Sequence, residues 1–216
     1  MVLIENIHRL SNLLPVLFFL MQKNASEKAK RVILYFCLFI IIHGIIYTLT
    51  KYRAPEFALY FNHLFIPIEF FAISYYFHFS FGNMLHKRIV LVTGLLFYSC
   101  WLFYTLNNPE EAFDSTVNGI ESLIAISYSI LYFYEQLRYP KTLFIYMQPS
   151  FWGVAGFFLF FTGSFFVFIY RQTSETVGNF LLQYVYIHAI FYMLRNILFS
   201  IGMVMKSEKS TLPDFT

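Results

Sequence analysis

Seven stretches of this chain are each apolar enough and long enough to cross a bilayer, which leaves few folds open to it. They run over residues 1–22, 32–50, 57–81, 89–106, 117–137, 151–170 and 179–205. Each reaches or approaches the ~20 residues that a helix needs to span about 30 Å of hydrocarbon. Their length and their lack of strict alternation favour helices over barrel strands. A water-soluble core cannot absorb 58% hydrophobic and 22% aromatic residues with only 12% charged ones in 216 residues. The connections, such as Asn107-Asn108-Pro109-Glu110-Glu111, are short and polar and leave no room for a soluble domain. The expected fold is all-α: one seven-helix transmembrane domain over residues 1–206, then a short tail over 207–216.

Lys and Arg set the expected sidedness. Lys23, Lys28, Lys30, Arg31, Lys87, Arg88, Arg138, Lys141, Lys206 and Lys209 follow the odd-numbered spans, ten in all. The alternate connections hold three, Lys51, Arg53 and Arg171. The tail is therefore expected in the cytoplasm and the N-terminus outside, in a multi-pass protein of a bacterial cytoplasmic membrane. The first span is the least regular. Glu5, His8, Arg9 and Asn12 share one helical face there, which suits a helix whose polar side looks into a bundle.

A net charge of +3 follows from the basic connections and gives no reason to expect nucleic acid. Cys37 and Cys100 fall inside apolar spans and read as packing residues. No cofactor is expected, and the partners expected from composition begin with the lipid bilayer. A retinal protein needs a Schiff-base lysine in its last span. No Lys lies between Asn179 and Met205.

The informative residues are the polar ones that lipid should exclude. Span three places Asn62 and Glu69 seven apart, nearly on one line, with Pro67 two residues before Glu69. Span five opens with Asn118, Glu121 and Ser122. Span seven sets Tyr184, His188 and Arg195 on one face, with Asn196 alongside, and span two contributes His43. These residues predict an outward-opening polar cavity among spans one, two, three, five and seven. Its candidate ligand-binding residues are Arg9, His43, Asn62, Glu69, Glu121, His188 and Arg195. Mixed charges of this kind suit a small polar or amphipathic ligand from the periplasm. The bland alternative is a dry bundle in which the same groups cross-link helices.

Four segments add a resemblance: Asn62-His63-Leu64-Phe65-Ile66-Pro67-Ile68-Glu69-Phe70; Glu121-Ser122-Leu123 with Leu131-Tyr132-Phe133-Tyr134; Pro149-Ser150-Phe151-Trp152; and Ile187-His188-Ala189 with Leu194-Arg195-Asn196-Ile197-Leu198. Together they resemble a family of uncharacterised small seven-helix bacterial membrane proteins. The layout is similar to the membrane input half of some sensor histidine kinases. The resemblance implies a receptor-like or accessory signalling role. With the chain ending at Thr216, the signal is expected to pass through a partner protein. Two other readings stay open. Glu69 suits a small-solute or proton-coupled transporter. His43, His63 and His188 with Glu69 or Glu121 are the residues a metal-dependent intramembrane hydrolase would use, although span seven lacks a paired His-x-x-x-His.

Overall fold

The computed structural model describes residues 7–8, 10–22, 28–107, 115–140, 142, 144–173 and 178–206, and their side chains except at Ser115 and from 168 to 185. The expectations for Glu5, Arg9, the side chain of Tyr184, and the tail over 207–216 lie outside these residues. Within them the chain forms α1 (Leu13–Met21), α2 (Lys28–Thr50), α3 (Pro55–Ser80), α4 (Met84–Asn107), α5 (Ser115–Arg138), a 3₁₀ turn (Ile145–Met147), α6 (Pro149–Thr173) and α7 (Gly178–Val204). No strand occurs among the described residues.

Five helical stretches are long and apolar enough to cross a membrane: α2, α3, α4, Pro149–Val167 of α6 and Tyr186–Val204 of α7. The chain is an all-helical, multi-pass membrane protein. At 26 residues α3 is about 39 Å long, ample for the hydrocarbon layer. The nine residues of α1 are too few to cross alone. α5 has 24 residues, but Asn118, Glu121, Ser122, Ser129, Glu135 and Gln136 hold down its apolar character.

Side chains are sorted as lipid requires. Ile42, Ile45, Leu91, Leu95 and Leu102 point outward and are exposed, whereas Ser122, Ser129, Ser164, Arg195 and Asn196 are fully enclosed. Consecutive helices pack side by side, and α1 against α7 closes the ring. Contacts of α3 with α5, and of α2 with α6 and α7, fill the middle. There Phe36, Phe77, Tyr128, Tyr132, Phe157 and Phe199 form the core.

The most extensive contact, α6 on α7, depends on missing side chains. A Cβ on Gly163 would lie 2.2 Å from the Phe191 ring, and one on Gly156 would lie 2.8 Å from Phe199. Gly153 does the same for α3, since a Cβ there would stand 2.0 Å from the Tyr76 hydroxyl. Small residues let the backbones approach, and close packing is what joins helices in lipid.

One end of the bundle, here called the basic end, is tied by buried polar groups. Lys30 is 3% exposed; it donates to the Met205 carbonyl, just past α7, and to Gln22 Oε1 at 3.3 Å, just past α1. A cation there meets the unpaired carbonyls of a helix C-terminus. Glu135 on α5 accepts from the Gly82 and Asn83 amides at 2.5 and 3.3 Å and pairs with His86. It thereby fixes the turn from α3 to α4. Asn83 also caps α4, accepting from the Leu85 amide at 2.8 Å.

Candidate functional site

The site begins with a proline. Pro15 has no N–H to offer the Ser11 carbonyl, four residues back, so the regular helix ladder fails there. The Leu14 amide takes that carbonyl instead, at 3.1 Å. Residues 7, 8 and 10 are helical, Ser11 and Asn12 form a turn, and α1 restarts at Leu13. Within its described residues, the run over 1–22 is thus helical on either side of a turn at Ser11–Asn12. An irregular stretch at this depth persists only where its polar groups face protein instead of lipid.

They face α7. Asn12 Nδ2 donates to the Tyr192 hydroxyl at 2.7 Å. Asn196 Nδ2 donates to Ser11 Oγ at 2.7 Å and to Asn12 Oδ1 at 3.2 Å. Asn196 Oδ1 accepts from Arg195 Nε at 3.4 Å. Both Ser11 and Asn12 are buried, and Asn196 and Arg195 are fully so. The interrupted helix and α7 are joined by one continuous network.

Arg195 is the centre of it. Its guanidinium lies 4.1 Å from the ring centroid of Tyr192, 4.5 Å from that of Phe160, 5.2 Å from that of Phe36 and 5.6 Å from that of Phe199. The aromatic faces supply cation–π attraction to a guanidinium that the bundle fully encloses. Among the described residues, both terminal nitrogens, Nη1 and Nη2, lack a hydrogen-bond partner. The sequence marks Arg195 as an intramembrane charge that should find an acid. In the structure its immediate neighbours are rings.

Beside the network is a cavity of about 610 Å³, lined by His8, Asn12, Ile40, His43, Thr48 and Tyr192 among others. Its mouth between α1 and α2 is apolar, with Leu10, Leu13, Ile45 and Leu49 all exposed. Its polar wall is Asn12 and Tyr192, the same residues that hold α1 to α7, with His8 set edge-on against the Tyr192 ring at 5.2 Å. A cavity of this size and lining accepts a small molecule with an apolar body and a polar end.

The residues anticipated from sequence do not gather in one place. His43 lines the cavity, stacked on Phe61 at 4.9 Å and tilted against Phe65 at 4.2 Å. His188 lies next to it on α7, near Tyr192, with Nδ1 3.2 Å from Ser164 Oγ. Glu69 and Glu121 are buried on α3 and α5, away from the cavity lining. Asn62 is half-buried on α3 and does not line it either. Among the described residues no three His, Cys, Asp or Glu side chains are grouped as a metal ion would require, so His43, His63 and His188 do not converge. Sequence reasoning passed over Ser11 and Tyr192. The signal for both was their position one helical turn from residues already marked, His8 and His188.

Comparison of the chain with protein-family models, with curated proteins and with solved structures finds no match.

Proposed function

We propose that this chain is a seven-span protein of the bacterial cytoplasmic membrane, N-terminus outside, that acts as a receptor-like or accessory signalling protein through a partner. The orientation rests on the ten-to-three bias of Lys and Arg between alternate connections. The seven spans rest on seven helices that neighbour one another in order, with α5 turning its polar residues inward and α1 preceded by further helical residues. In this orientation the basic end is cytoplasmic and the cavity belongs to the outer half. Its ligand is a small amphipathic molecule reaching it from the periplasmic side.

The observation that carries the reading is the double use of Asn12 and Tyr192. Both line the cavity, and both hold the interrupted first helix to α7. A ligand that takes a hydrogen bond from either residue competes with the α1–α7 link, so binding and helix association share a free energy. Just past the end of α7, Lys30 holds the Met205 carbonyl, so loosening at the cavity is felt at the cytoplasmic end. A transporter reading draws on the same break, because interrupted helices at mid-depth are where many transporters hold substrate.

Thr48, exposed at the cavity, gives the test. In a chain with Cys37 and Cys100 replaced, Thr48→Cys should react with a membrane-impermeant maleimide added outside. Reaction only from the cytoplasmic side would overturn the orientation and the ligand's route together. Signalling separates from transport in cells carrying Asn12→Ala at unchanged protein level. An altered transcript profile with unaltered solute pools supports the receptor, and the reverse supports transport.

A further inference from the structure

The depth, the mouth and the floor of the cavity point to one route for its ligand. Lys30, near the start of α2, holds the Met205 carbonyl at the basic end. Ile40 and Leu49 both line the cavity. At 1.5 Å per residue they stand about 15 and about 28 Å along α2 from Lys30. The cavity therefore runs from the middle of a hydrocarbon layer about 30 Å thick to the edge opposite the basic end. On α7, Tyr192 is about 18 Å from Val204, so the polar wall lies at the deep end.

The mouth is a gap in the side of the bundle. Its rims, Leu10 and Leu13 on one side and Ile45 and Leu49 on the other, are 40% to 66% exposed. Exposed Ile and Leu on a membrane-spanning helix face acyl chains, so the gap opens sideways into the bilayer. Its floor includes Gly44, where a Cβ would meet nothing within 4 Å. α2 thus leaves room at a point where most residues would put a side chain.

At the deep end stands a donor. The Tyr192 hydroxyl accepts from Asn12 Nδ2 at 2.7 Å, and among the described residues its own proton has no acceptor. Tyr192 is 9% exposed, and a hydroxyl buried this far calls for an acceptor, which the cavity has room to supply. Neither Asn12 nor Tyr192 carries a charge to meet a phosphate, and bringing a charge to mid-depth is costly. The wall selects an uncharged oxygen.

Taking the cavity for the ligand site of the proposed function, we propose that it binds a membrane-dissolved lipid with an uncharged carbonyl end. The lipid enters from the bilayer between α2 and residues 10–13. Its carbonyl oxygen accepts the Tyr192 proton at mid-depth, and its apolar body lies along Gly44 in the gap. A prenylquinone and a protonated fatty acid share this chemistry.

The full chain is reconstituted in phosphatidylcholine nanodiscs and offered decylubiquinone, palmitic acid, or lysophosphatidylglycerol, whose head is charged. Adducts are weighed by native mass spectrometry. Decylubiquinone or palmitic acid should bind at one molecule per chain, and the tighter of the two names the source. Gly44→Phe should abolish that adduct by filling the gap from a position with free space around it. Tyr192→Phe should weaken it about fivefold, the worth of one hydrogen bond. Should Gly44→Phe fail to fold, Tyr192→Phe still decides. Binding of neither lipid, binding untouched by either substitution, or equal Gly44-dependent binding of the lysolipid would overturn the proposal. Hexanoate, supplied from water, then separates the two failures. A hexanoate adduct that Gly44→Phe removes would leave the cavity as a ligand site served from water. No Gly44-dependent adduct of any of these probes would take down the ligand site of the proposed function as well.

Discussion

At the scale of single residues, the structure is sensitive where a side chain is absent and tolerant where one merely points at lipid. A Cβ on Gly163 would meet the Phe191 ring at 2.2 Å, and one on Gly153 would meet the Tyr76 hydroxyl at 2.0 Å. Gly44 on α2 has nothing within 4 Å. Overpacking of this kind costs about 1–3 kcal/mol when a neighbour must move. Gly163→Ala and Gly153→Ala should therefore lower the unfolding temperature in detergent, and Gly44→Ala should leave it unchanged or raised. Equal effects at all three positions would mean that the α6–α7 and α3–α6 seams are looser than drawn. Polar residues were legible in the sequence one at a time, because any charge in an apolar run stands out. Their partners were not. Arg195 looked like half of an ion pair, yet four aromatic rings surround it, and ring contacts leave no pattern in a sequence without a fold. Glu135 and His86 escaped notice for a different reason. They sit where spans end, and there a charged residue ordinarily needs no partner at all.

At the scale of elements, the apolar runs and the helices correspond one to one, since lipid length fixes both. The first span is where the correspondence breaks. Residues 1–22 read as one run, whereas the regular helix covers only Leu13–Met21, after the turn at Ser11–Asn12. Pro15 was a visible cause, but its effect falls four residues earlier, on a carbonyl that sequence patterns do not display. Pro15→Ala should restore the ladder and give the residue-15 amide the Ser11 carbonyl. Hydrogen exchange should then show a protected amide at position 15, with weaker protection of the Asn12 and Asn196 side-chain bonds if the turn straightens. Interhelical hydrogen bonds in membranes average about 0.6 kcal/mol each. Losing the three that Asn12 and Asn196 make across to the facing helix would thus weaken α1 on α7 without unfolding the bundle. An unchanged exchange pattern would show that the break is imposed by α7 and not by Pro15. The sequence anticipated a polar cavity among five spans; the cavity in the structure is mostly apolar and is lined by parts of three elements, because helical faces give a direction but not which neighbour lies there.

For the whole molecule, the helices that pass for spans on their own and those that do not have separate histories in the cell. α5 has the length to cross, but it carries Glu121 and Glu135 and falls outside the five stretches that are apolar enough. An acidic side chain in a lone segment disfavours entry into lipid, by up to about 2.5–3.5 kcal/mol at its centre and by less toward its ends. Its polar face is acceptable only after α3, α4 and α6 are there to cover it. Insertion of α5 during synthesis must then wait for the segment that follows it, so that α5 and α6 leave the translocon as a pair. A chain released by a stop codon after Lys141 should carry α5 outside the bilayer, open to protease from one side. The same chain extended through α6 should protect it. The acids that make the interior of this protein chemically distinctive also set the order in which it can be assembled.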